Sequence, residues 1–265
     1  MNKSHIIILL LTIVVGILII TSYHKQEDFT DFKINKTYVI NLETDKDRLK
    51  DILNMGKREN IHMERFDAVN GRKLSSQDPY IKKFFSKQNK LKKSQKGCAL
   101  SHIKIWEKIK ENNDENVMIL EDDAIIPTDF NNKLNAYIKE LPDNWEMVLL
   151  GGNNIVGKQY SKLLLKANPL TKKHCNYGLF GYLIKKNTAT KLLNVCMGLG
   201  KTIDVQLNKH FYKRNNVFFC SPQLITHNYD YYSNICKKII LSSAPTDDSR
   251  QLPSHGWRSA VIENL

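Results

Sequence analysis
With 265 residues, 42% of them hydrophobic and 9% aromatic, the chain can bury a full core and is no disordered polymer. Only 12 glycines and 7 prolines exclude collagen-like and low-complexity chains. Forty Lys and Arg against 27 Asp and Glu leave a net charge of +13, which suits nucleic acid, a membrane surface or phosphorylated substrates without choosing among them.

Ile6 to Ile20 is an apolar run broken only by the mild Thr12 and Gly16. As a helix it spans about 22 Å, and about 27 Å if Thr21, Ser22 and Tyr23 are added, just short of a ~30 Å hydrocarbon core. Lys3 precedes it, and no A-x-A cleavage site follows. Residues 1–23 therefore read as one N-terminal transmembrane helix, an uncleaved signal anchor with N-in, C-out topology. The alternative is a cleaved signal peptide cut near Ser22. Residues 24–36 then form a short polar stem, and 37–265 the folded domain. Asn35-Lys36-Thr37 is a glycosylation sequon, meaningful only in a eukaryotic secretory setting.

Tyr38 to Leu42 is β-branched and apolar, a strand signal. Thr44 or Asp45 can cap a charged helix running to about Glu59. Met63 to Val69 reads as a second strand closed by the turn pair Asn70-Gly71. From Lys82 to Lys96 come seven lysines and no acid. That stretch is a solvated loop with one helical turn or an anion-facing loop, and Phe84 and Phe85 predict that part of it packs. Gly97 opens a stronger helix, with Leu100, Ile103, Trp106 and Ile109 at helical spacing and Asn112-Asn113-Asp114 as its stop. Val117 to Leu120 is an apolar run of the kind buried in a parallel sheet. A helix follows Pro127, from about Asp129 to Glu140. Met147 to Leu150 is another strand, closed by Gly151-Gly152. Residues 153–176 carry no clear signal. Gly178 to Ile184 reads as a strand, Asn187 to Met197 as a helix, Asp204 to about Tyr212 as a further helix, and Val217 to Cys220 as a late strand. Strands alternating with helices imply an α/β domain with a mostly parallel sheet flanked by helices.

Five cysteines, Cys98, Cys175, Cys196, Cys220 and Cys236, show no zinc spacing, and the odd count leaves at least one free thiol. Cys98 falls in an apolar helical pattern, which suits a buried free thiol.

Chemistry concentrates in four places. Glu121-Asp122-Asp123 ends a buried strand, where three like charges raise one another's pKa unless a cation or donors compensate. Ligand sites of open α/β sheets lie at the carboxyl ends of strands, and a hard divalent ion there uses carboxylate oxygens. The plain alternative is an acidic loop capping the next helix. Gly97-Cys98-Ala99-Leu100-Ser101-His102 puts small residues at a helix start, where backbone N–H groups can approach an anion. His102 is either catalytic or a structural hydrogen-bonder. Asp204 is an N-cap or a functional acid. His227 is a core histidine or a metal ligand.

These features, in this order, resemble glycosyltransferase family 25, which includes bacterial lipo-oligosaccharide galactosyltransferases and the collagen galactosyltransferases. The matching blocks are Tyr38-Val39-Ile40-Asn41-Leu42 with Arg48; Phe66-Asp67-Ala68-Val69-Asn70-Gly71; Gly97-Cys98-Ala99-Leu100-Ser101-His102 with Trp106; and Ile119-Leu120-Glu121-Asp122-Asp123. Gly181-Tyr182-Leu183-Ile184, Ile203-Asp204 and Ser221-Pro222-Gln223-Leu224-Ile225 follow. The resemblance runs from about Thr37 to Asn228. It implies a GT-A-type, Rossmann-like fold binding a nucleotide sugar, with UDP-galactose as the expected donor and a glycan or protein hydroxyl as acceptor. It implies Mn2+ or Mg2+ held by Asp123, Glu121 and His227. Asn41, Arg48, Asp67, Gly71, Glu121 and Asp122 would lie at the nucleotide sugar, Gly178 to Gly181 in an acceptor loop. Asp204 stands in the place of the general base of inverting members, with His102 as a further catalytic residue. Val205-Gln206-Leu207 departs from the collagen-type pattern, which carries a second acid after the aspartate. No nucleic-acid partner is expected. The competing readings are a membrane-tethered basic protein binding nucleic acid or another anionic polymer, and a catalytically inactive scaffold of glycosyltransferase type.

Overall fold
The computed structural model describes residues 15–16, 32–112, 114–167, 176–228 and 261–262. The chain divides into two compact units, Met1–Lys33 and Ile34–Leu265. Among the described residues no helix is long and apolar enough to cross a membrane, and the expected anchor lies, apart from Val15 and Gly16, outside them. The same holds for most of the expected stem and for Cys175 and Cys236.

The larger unit opens β1 (Lys36–Asn41), α1 (Lys46–Arg58), β2 (Glu64–Asp67), α2 (Pro79–Phe84), α3 (Lys93–Glu111), β3 (Asn116–Glu121). It continues β4 (Ala124–Ile125), α4 (Phe130–Ile138), β5 (Met147–Leu149), β6 (Val156–Gln159), β7 (Leu164–Ala167), β8 (Gly181–Lys185), α5 (Lys186–Val195). Then come α6 (Ile203–Leu207), a π-helical turn at Asn208–Tyr212, β9 (Val217–Cys220), β10 (Thr226–His227) and β11 (Val261–Ile262). Nine strands form one sheet in the order β11-β6-β7-β9-β5-β8-β3-β1-β2, and β10 pairs with β4 in a separate ribbon. Within the sheet, β7 and β8 run against the other strands, so the sheet is mostly parallel as the β/α alternation predicts.

Both faces of the central strands are buried, which explains why they read as continuous apolar runs rather than alternating ones. Tyr38, Ile40, Val117, Ile119, Tyr182 and Ile184 share a core with Leu100, Ile103 and Trp106 of α3 and Leu192 of α5. The alternate residues Val39, Met118, Leu120 and Leu183 are buried equally well.

Three expectations change. α3 begins at Lys93, not Gly97, because the Gln95 side chain turns back to accept the Lys92 N–H at 2.8 Å and caps an earlier first turn. Gly97 therefore lies inside the helix, and its backbone is not a free anion-binding terminus. The lysine-rich stretch is divided between α2, a short loop and the start of α3, and Phe84 and Phe85 are buried as the sequence predicts. Residues 153–167, which carry no sequence signal, form the antiparallel pair β6 and β7.

Candidate active site
Because β1, β2 and β3 are parallel, their carboxyl ends meet on one edge: Asn41 stands opposite Asp67, and Ile40 opposite Glu121. A cleft of about 370 Å³ opens there, lined by Leu42, Arg48, Ala68 to Arg72, Cys98, His102 and Glu121 to Asp123 among others. β8 runs the other way, so its first residue, Gly181, reaches the same edge opposite Leu120. The loop after β9 also returns to that edge. Gln223 grips both backbone groups of Gly152, at 3.0 and 2.8 Å, and Ile225 N–H bonds Leu150.

The helix block around Gly97 forms the cleft's side wall. A Cβ on Gly97 would stand 2.5 Å from the Val69 carbonyl oxygen, and one on Gly71 only 2.0 Å from that of Lys93. The two glycines thus let the loop after β2 lie directly on α3. Ser101 completes the clamp, accepting the Val69 N–H at 2.8 Å and donating to the Gly97 carbonyl at 2.9 Å.

Asn41, Arg48 and Asp122 form one network. Asn41 Nδ2 donates to one Asp122 carboxylate oxygen at 2.7 Å and Arg48 to the other at 2.9 Å, while Arg65 donates to Asn41 Oδ1. Burial pushes the Asp122 carboxyl above its usual range, and these two donors oppose the shift. Asp122 is thereby committed to holding the loop. Asp67 is placed elsewhere: its side chain is 81% exposed, paired with Arg65, and does not line the cleft.

Asp123 is the electrostatically costly member. Burial first, then the charges of Glu121 and Asp122, push its carboxyl up to about 7. Its Oδ1 is buried and has no hydrogen-bond partner. A buried, partnerless carboxylate oxygen beside two more acids fits a hard divalent cation. The ribbon of β10 with β4 brings His227 opposite Ala124, and the Asn228 N–H bonds the Asp123 carbonyl at 2.8 Å. Burial lowers the His227 imidazole pKa, and the charge of Glu121 opposes that.

Glu121 faces the cleft with its side chain 28% exposed. His102 Nε2 lies 3.1 Å from its Oε1, and His102 Nδ1 lies 2.9 Å from the Tyr182 hydroxyl. His102 is 1% exposed, so both ring nitrogens are engaged inside the protein. Cys98 Sγ is 4.0 Å from the same Glu121 oxygen. Among the described residues, Cys98, His102 and Glu121 bring their ligand-type atoms within 4.8 Å of one another. Burial pushes the Cys98 thiol well up, and Glu121, Asp204 and Asp123 add to the shift. Asp204, although outside the cleft lining, is therefore near enough to Cys98 for its charge to act on the thiol.

Asp204 sits in the first turn of α6, after Thr202 at the N-cap position. Its Oδ1 accepts the Val205 N–H at 2.8 Å, and its Oδ2 accepts the Gly178 N–H at 3.3 Å. Gly178 has φ +84°, which favours glycine. Asn176 and Asn208 are joined by hydrogen bonds in both directions and anchor this loop to the π-helical turn. Ser101, Tyr182, Gln223, Asn176 and Asn208 have no assigned role in the sequence reading. Their partners lie dozens of residues away; Ser101, Tyr182 and Gln223 fall inside the family-like blocks, whereas Asn176 and Asn208 carry no such sign.

A mostly parallel α/β sheet whose carboxyl edge gathers an acidic triplet, a clamped loop and a returning histidine strand defines a ligand-binding domain of the doubly wound class. The chain belongs to glycosyltransferase family 25: the sequence model of "Glycosyltransferase family 25 (LPS biosynthesis protein)" matches residues 34–207. Procollagen galactosyltransferase 2 of Homo sapiens is 23% identical over 198 residues, covering 66% of this chain and 31% of that protein. A glycosyltransferase 25 family member of Aedes aegypti is 26% identical over 227 residues, covering 75% of this chain and 36% of that one. The chain thus spans about a third of the length of these curated relatives. Among solved structures, a glycosyltransferase involved in the glycosylation of the major capsid of PBCV-1 is similar at a TM-score of 0.33 and 8% identity, over 60% of this chain and 65% of that one.

Proposed function
We propose that this protein is a metal-dependent, GT-A-type glycosyltransferase that moves a hexose, galactose from UDP-galactose first among donors, to a hydroxyl of a glycan or protein acceptor with inversion. The observation that carries this reading is the orphaned, buried Oδ1 of Asp123 at the carboxyl edge of β3. The galactosyltransferase relatives support the choice of sugar.

Asp123 would hold Mn2+ or Mg2+, with Glu121 and His227 as further ligands. An ion held there would supply Lewis-acid stabilisation of the negative charge on a diphosphate leaving group. This chain's own residues do the rest. Asn41 and Arg48 fix Asp122, which keeps the loop of the triplet in place. The backbone of Asn70 to Arg72, held on α3 by Gly71, Gly97 and Ser101, forms the wall against which the nucleotide lies. Asp204 takes the proton from the acceptor hydroxyl as it attacks the anomeric carbon, and its bond to Gly178 N–H orients it. His102 contributes through Glu121. Residues 1–23 tether the enzyme to a membrane, or act as a signal cleaved near Ser22, and the basic exterior is a property of the surface around an acidic site rather than a nucleic-acid interface.

The test is a panel of UDP-sugars with Mn2+, read as released UDP with and without acceptor glycans. Turnover with one donor, abolished by chelation and reduced at least about a hundredfold in Asp123→Ala, is the expected result. No turnover with any donor, together with no UDP binding, overturns the proposal.

A further inference from the structure
Trp106, Tyr182, His102 and Glu121 form an unbroken line from the core to the cleft. Trp106 Nε1 is 3.0 Å from the Tyr182 hydroxyl, Tyr182 is 2.9 Å from His102 Nδ1, and His102 Nε2 is 3.1 Å from Glu121 Oε1. Trp106 and Tyr182 are fully buried and His102 is 1% exposed, so water does not reach these groups.

The line has a single direction. An indole N–H can only donate, so the Tyr182 oxygen accepts from Trp106. The Tyr182 hydrogen then has one partner in reach, Nδ1 of His102, which must be the bare nitrogen. The imidazole hydrogen therefore sits on Nε2 and is donated to Glu121, and a carboxylate can only accept. The opposite tautomer, and the imidazolium, would each leave the Tyr182 hydrogen buried and unmatched, at the cost such groups carry.

We infer that Trp106 and Tyr182 are positioning residues that lock His102 as the Nε2–H tautomer, so that it donates to Glu121 Oε1 and presents that side chain, fixed in orientation, to the cleft. The thiol of Cys98 approaches the same oxygen, so both inner donors converge on Oε1 and the other oxygen serves the ligand. The same hydrogen keeps Nε2 from acting as a metal ligand, so Cys98, His102 and Glu121 are a hydrogen-bonded cluster and not a cation site. This assigns a task to a tyrosine 80 residues from the histidine it orients. It rests on the proposed function only for the use made of Glu121; the tautomer stands by itself.

The experiment is long-range 1H–15N correlation on the uniformly 15N-labelled full chain, free of metal, with the His102 signals assigned by their loss in His102→Gln. Wild type is expected to show a protonated Nε2 and a bare Nδ1. Tyr182→Phe removes one hydroxyl and should release the ring into a mixture of tautomers. Its kcat with the donor should fall roughly tenfold or more while KM for the acceptor stays put, as for other losses of outer-sphere support. If Tyr182→Phe does not fold, the tautomer of wild-type His102 decides the inference by itself. A bare Nε2 in wild type overturns the inference, as does a Tyr182→Phe protein that keeps both the Nε2–H tautomer and full kcat. Should no donor turn over at all, the proposed function fails while the tautomer measurement still decides this one.

Discussion

The Ser101 hydroxyl stands 2.8 Å from the amide of Val69, and this one bond joins the helix α3 to the loop that walls the cleft. It works because the backbone of Gly97 lies directly beneath that loop. In Gly97→Ala the new Cβ meets the Val69 carbonyl at 2.5 Å and the Gly71 nitrogen at 2.7 Å, both backbone atoms that cannot rotate away. Overpacking of this kind costs about 2–3 kcal/mol. Thermal unfolding should show it as a lower Tm, and UDP binding should weaken because the wall has moved.

Arg48 and Asp122 form a salt bridge at 2.9 Å with side chains only 13% and 10% exposed. Removing one partner of so buried a pair leaves a charge without compensation, at about 3 kcal/mol. Arg48→Ala should therefore destabilise strongly, and Arg48→Ala with Asp122→Asn should recover part of the loss. A double-mutant cycle by urea denaturation measures the coupling; independent, additive losses would contradict the network.

Asp123 gives a pH signature. Its folded pKa, raised to about 7, lies above the ordinary carboxylate value of about 3.9. The fold thus prefers the neutral acid: the contribution to stability is full below about pH 4 and is lost as pH rises through 7. With chelator present, Asp123→Asn should be more stable than wild type at pH 8, by on the order of 2 kcal/mol after solvent screening, and no more stable at pH 4. Adding Mn2+ at pH 8 should raise the Tm of wild type and leave the variant unmoved. Equal melting curves at both pH values would count against the buried charge.

Asp204 offers a kinetic test. On the general-base role proposed for Asp204, Asp204→Asn should lower kcat by roughly a hundredfold to ten-thousandfold. Donor affinity, measured by calorimetry, should hardly change, because Asp204 does not line the cleft. A loss of donor affinity with kcat preserved would move Asp204 into the binding apparatus.

The sheet was legible because its central strands are buried on both faces and so read as apolar runs, and β1, β3, β5, β8 and β9 all fall where those runs are. β6 and β7 were not, because Lys158, Gln159 and Lys166 interrupt them; Lys166 lies over the Phe218 ring at 4.6 Å and donates to Asn216 Oδ1. The two-residue strands β4 and β10 are too short to leave any pattern. In the site, Glu121-Asp122-Asp123 announced itself as three adjacent charges after a buried strand. Which of the three is bridged by Arg48 and which is left without a donor depends on residues 74 apart and could be seen only once the chain had folded. The start of α3 was misplaced for a local reason: its first turn is all polar, and hydrophobic spacing begins only at the second.

One consequence of the sheet order concerns the time at which the molecule becomes whole. β9 pairs with β5 on one side and β7 on the other, so it is the strand that joins β2-β1-β3-β8-β5 to β7-β6. During synthesis those two parts leave the ribosome first, and their seam stays open until residue 220 has emerged. Until then β5 presents Met147, Val148 and Leu149, all buried in the finished fold, along an unpaired edge that any other extended segment could occupy. The β4–β10 ribbon forms still later, when Thr226 and His227 close on Ile125 and Ala124. The nascent chain is therefore most exposed to misassembly, and most in need of a chaperone, just before β9 is delivered.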